Sequence, residues 1–93
     1  MKWTATSTSN IENKIISIQY MNGEGWKVDG IDRGIMNYTK GQYTAYYDIE
    51  KSCICEITKK DNGVTSVIFK GAIETEDDFD TALRLLKIKK NIL

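Results

Sequence analysis

From Tyr43 onward the chain alternates apolar and polar positions, the period of a strand lying on a core. Tyr43, Ala45 and Tyr47 share one side of a first run. In the next, Ser52 to Lys60, Cys53, Cys55 and Ile57 fall on one side and Ile54, Glu56 and Thr58 on the other. A loop at Ile49-Glu50-Lys51 pairs Asp48 with Ser52, hence Tyr47 with Cys53, Ala45 with Cys55 and Tyr43 with Ile57. Asp61-Asn62-Gly63 reads as the following turn, with Gly63 able to take positive φ. It pairs Lys60 with Val64, Ile57 with Val67 and Cys55 with Phe69, the last strand running to Lys70. Both registers build one apolar face, and a slip of one residue in either hairpin breaks it.

The N-terminal half carries weaker signals. Lys14 to Met21 alternates as a strand with Ile16, Ile18 and Tyr20 inward, and Asn22-Gly23 is a turn signal. Trp26-Lys27-Val28 returns as a second strand, and a loop one residue longer than a tight turn aligns Tyr20 with Trp26 and Ile18 with Val28. Lys2 to Thr8 is Thr-rich, with Trp3 and Ala5 in phase for an edge strand. Glycines interrupt Asp29 to Gly41 repeatedly, so this segment reads as a long connection, with the Gly30–Gly41 stretch a candidate functional loop.

Glu74 to Lys90 has helical periodicity. Thr75 is the expected N-cap with Asp78 at the capping-box position, and Phe79, Ala82, Leu83 and Leu86 form the core stripe. The predicted architecture is α+β: a small antiparallel β-meander of about five strands with one C-terminal helix packed across one face, a single domain over residues 1–93.

Composition narrows the chemistry. Thirteen basic residues balance thirteen acidic ones, so no global field draws the chain to nucleic acid or an anionic membrane. No stretch is apolar and long enough to span a bilayer, and the N-terminal residues lack a signal peptide's apolar core, so the expected location is cytoplasmic. The chain has no histidine and two cysteines. Zinc, which takes about four ligands, would have to rely on two thiolates and scattered carboxylates, and a thiol nucleophile would have no imidazole to activate it. Cys53 and Cys55 therefore read as small core residues in a strand. No metal, cofactor fingerprint or catalytic constellation is expected, and the chain reads as a non-enzyme. Its Ile, Lys, Asn and Tyr content, with no proline, fits A/T-rich coding such as that of a virus or mobile element.

Candidate contacts for a protein partner are three. The run Glu74 to Asp80 is a local acidic cluster; Glu76, Asp77 and Asp80 complement the helix dipole and could equally dock on a basic surface. Leu85, Ile88 and Ile92 form a second helical stripe, either a wide buried face or a self-association contact. Tyr46 on the sheet's outer face and Tyr38 in the connecting loop are the candidate aromatics. Tyr46 lacks the flanking basic residues of an RNA-reading sheet, which disfavours nucleic acid. The function these features suit is an inhibitor blocking a basic, nucleic-acid-handling surface of a host protein. Alternatives are a self-associating assembly subunit and a nucleic-acid-binding sheet.

Overall fold

The computed structural model describes residues 14–86. In chain order these form α1 (Ile18–Gly23), β1 (Lys27–Asp32), β2 (Ile35–Lys40), β3 (Tyr43–Asp48), β4 (Cys53–Asp61), β5 (Val64–Ile73) and α2 (Glu76–Leu85). The five strands make one open antiparallel sheet in the order β1-β2-β3-β4-β5. This is the α+β meander with a C-terminal helix that the pattern predicts. The proposed edge strand over Lys2–Thr8 lies outside the described residues, as do Lys87–Lys90 of the proposed helix.

The segment expected as a first strand is instead a bridge followed by a helix. Ile15 pairs with Thr75 alone, and α1 begins at once, with the Ser17 hydroxyl accepting from the Tyr20 amide at 3.1 Å. Asn22-Gly23 is its last turn rather than a hairpin. Gly25, at φ 94, closes the helix: its amide bonds to the Asn22 carbonyl and the Trp26 amide to the Met21 carbonyl, each at 3.1 Å. That pair of bonds is the Schellman arrangement, for which a left-handed glycine after the helix is the usual solution.

The stretch expected as a long connection is a hairpin. β1 and β2 are joined by Arg33-Gly34, both at positive φ (53 and 80), so Asp32 faces Ile35 across a two-residue loop. Such a turn matches the twist of the flanking strands. An irregularity between Val28 and Gly30 makes Asp29 an extra residue and puts Val28 and Ile31, three apart, on one face.

Three further irregularities, one between β3 and β4 and two between β4 and β5, correct the expected registers. The β4–β5 loop is the two-residue Asn62-Gly63, with Asp61 facing Val64. An extra residue at Ile68 then brings Ile57 opposite Phe69 instead of Val67. The β3–β4 loop is longer than expected, so Asp48 faces Cys53 and Tyr47 faces Ile54; beyond an extra residue at Cys55, Tyr46 faces Glu56 and Ala45 faces Ile57. The cysteines therefore leave the face assigned to them. Cys53 is buried but outside the main core cluster, and Cys55 sits half-buried in the bulge, its thiol donating to the Tyr46 carbonyl at 3.5 Å.

The core lies on the inner face. Met36, Tyr38, Ala45, Tyr47, Ile54, Ile57 and Ile73 pack beneath Ile16, Met21, Trp26, Phe79 and Leu83. Phe79 meets both Tyr20 (centroids 6.3 Å apart) and Trp26 (5.8 Å). The helix α2 is held at its start from two directions. Thr75 Oγ1 accepts from the Asp78 amide at 3.1 Å, and the Glu76 amide donates to the Lys14 carbonyl at 2.8 Å. One backbone strand-like segment, Lys14–Ile16, thus ties both helices to the sheet, and Tyr47 Oη donates to its Ile16 carbonyl at 3.0 Å.

Candidate functional site

The acidic cluster is larger than the sequence indicates. Glu76, Asp77 and Asp78 occupy the first turn of α2, as the dipole favours. Asp80 follows one turn on, and its carboxylate pairs with Arg84 at 2.7 Å. The helix α1 adds Glu24 at its C-cap. The phenol of Tyr20 is pushed well above the usual tyrosine range, first by burial and then by the fields of Glu24, Asp80, Glu76 and Asp77. Half-buried and packed edge-on against Phe79, Tyr20 keeps its proton. Glu24 escaped the sequence reading because Asn22-Gly23 drew the turn assignment; Gly25 two residues after Gly23 was the signal for a helix end at this point.

The other proposed contacts separate. Tyr46 lies on the outer face, between Asn37 and Glu56 across the ladder, beside a shallow groove that includes Arg33, Ile35 and Cys55. Tyr38 does not reach any surface. It points into the inner face, is 0% exposed, and stacks edge-on against Tyr47 at 6.2 Å. The loop that was to present it is strand β2, which is why the aromatic is core. Leu85 is 76% exposed, outside the buried side of α2, whereas Phe79 and Leu83 are buried and Ala82 and Leu86 pack against the core. Ile88 and Ile92 lie outside the described residues.

The thiols offer little reactivity. Burial raises both above their ordinary range, and Asp48 adds to the effect at each. A thiol held protonated is a poor nucleophile and a poor ligand. Among the described residues, no group of three or more cysteines and carboxylates is placed to hold a metal ion. No helix among them is long and apolar enough to cross a membrane. Comparison with models of known protein families, with curated proteins and with solved structures finds no match to this chain.

Proposed function

We propose that this chain is a non-enzymatic binding protein that docks its acidic face onto a basic surface of another protein, in the manner of an inhibitor occupying a nucleic-acid-handling site. A virus or mobile element is the source its A/T-biased composition suits. One observation carries the reading. Glu76, Asp77 and Asp78 fill the first turn of α2 and Asp80 follows, a concentration of carboxylates on a chain with no net charge. Glu24, at the C-cap of α1, is held from within the chain, its carbonyl accepting from Lys40 Nζ at 2.6 Å, so the α2 acids carry the reading.

The test is charge reversal. Asp77→Lys with Asp80→Lys should keep the fold, since each helix-start charge contributes only about 0.3–1 kcal/mol. Proteins captured from a cytoplasmic extract by the parent chain should be lost by the double variant, and their binding should weaken as salt rises. Capture that is equal for both chains and indifferent to salt would remove the acidic face from the account. The self-association reading rests on the exposure of Leu85. It predicts that Leu85→Lys lowers the molecular mass in solution without changing stability.

A further inference from the structure

We propose that the β1 edge pairs antiparallel with the same edge of a second copy, joining two five-stranded sheets into one. Among the described residues β1 is a terminal strand, with β2 on one side and no strand on the other. All its residues are exposed except the half-buried Gly30. The edge is self-complementary when a two-fold axis passes between Asp29 and Gly30. Lys27 then faces Asp32 of the second copy, Val28 faces Ile31, and Asp29 faces Gly30.

Side-chain direction and backbone direction both agree with that register. Lys27 and Asp32 stand opposite Thr39 and Ile35 on the outer face, so the opposite charges meet on one side of the joined sheet. Val28 and Ile31 stand opposite Tyr38 and Met36 on the inner face, so the apolar pair meets on the other. The bulge at Asp29 makes this possible, because it places two residues three apart on one face and an antiparallel partner repeats the same step in reverse. Asp32 and Ile35 flank a two-residue turn and so form a hydrogen-bonded pair. Ile31, the next residue, therefore turns its amide and carbonyl away from β2, and beyond the bulge Val28 does the same. These are the residues the proposed register sets against each other.

The opposite edge of the sheet has no such match, since Lys70 is the only charged residue of β5. The one unfavourable feature of the β1 register is the approach of the two Asp29 carboxylates beside the axis. With six residues a side and that repulsion, the dimer is a weak one, in the high-micromolar range.

The test uses Lys27→Asp and Asp32→Lys with sedimentation equilibrium. The parent chain should rise toward twice its mass as concentration increases. Each single variant sets like charges opposite each other at both ends of the strand and should lose affinity by about tenfold or more. Mixed in equal amounts, the two variants should regain it, because every rung then pairs Asp with Lys. Circular dichroism should show both variants folded, as both positions are exposed. A parent chain still monomeric at about 1 mM overturns the proposal. So does a dimer that survives both substitutions, or variants whose mixture associates no better than either alone.

Discussion

On the inner face of the sheet, Ala45 and Ile57 in the central strands are 0% exposed, while Val28 and Ile31 of β1, on the same face, are 49% and 60% exposed. Val28 belongs to the same cross-strand row as Tyr38, Ala45 and Ile57, so the difference is not one of register. It is one of cover. Five strands at about 4.8 Å spacing span about 19 Å. Among the described residues, the two helices supply Met21, Phe79 and Leu83 as buried side chains, with Trp26 between them. Among the described residues, they cover the middle strands and the start of β1 at Trp26, and leave Val28 and Ile31 exposed. A sheet wider than its roof has a margin with an apolar face and an open backbone edge, and such margins are where chains join.

The largest expected effect falls at the centre of that contrast. Leu83→Ala should lower unfolding free energy by about 2–5 kcal/mol in a denaturant titration, as the loss of a fully buried side chain does. Ile31→Ala, an equally large change of an apolar side chain on β1, should cost less than about 1 kcal/mol at low protein concentration. Similar losses at both positions would mean that β1 is roofed after all.

A finer contrast exists within the core. Tyr38 and Tyr47 stack edge-on, but Tyr47 Oη donates to the buried Ile16 carbonyl, whereas Tyr38 Oη is buried with no hydrogen-bond partner among the described residues. Tyr47→Phe should therefore cost about 1–3 kcal/mol, because it strands that carbonyl. Tyr38→Phe removes a hydroxyl that burial only penalises, and should leave stability unchanged or raise it by up to about 1 kcal/mol. Thermal unfolding of the two variants side by side reads the difference.

The places where the residue pattern was sufficient share a physical feature: the signal was local. Thr75 caps α2 as its hydroxyl and the following acids imply, and the i, i+3, i+4, i+7 stripe from Phe79 to Leu86 packs as expected. The alternation of Tyr43, Ala45 and Tyr47 holds through β3. Two failures were of element type, α1 read as a strand and the β1–β2 hairpin read as a loop, and the register failures come from single inserted residues. Asp29, Cys55 and Ile68 each add one position to a strand, and an added position reverses every inside–outside assignment beyond it. That is why Cys55 left the core, whereas Tyr38 entered it because its supposed loop is strand β2. The acidic face was half legible: its α2 members follow one another in sequence, but Glu24 joins them only through the packing of Tyr20 on Phe79.

Amide hydrogen exchange followed by NMR at low protein concentration tests the central claim, that the sheet divides into a roofed centre and an open β1 margin. The amides of Ala45 and Ile57 should exchange only through global unfolding, while those of Val28 and Ile31, turned away from β2, should exchange much faster and gain protection as concentration rises. Protection at Ile31 equal to that at Ile57 in dilute solution would contradict the account, because it would place β1 within a covered, paired interior.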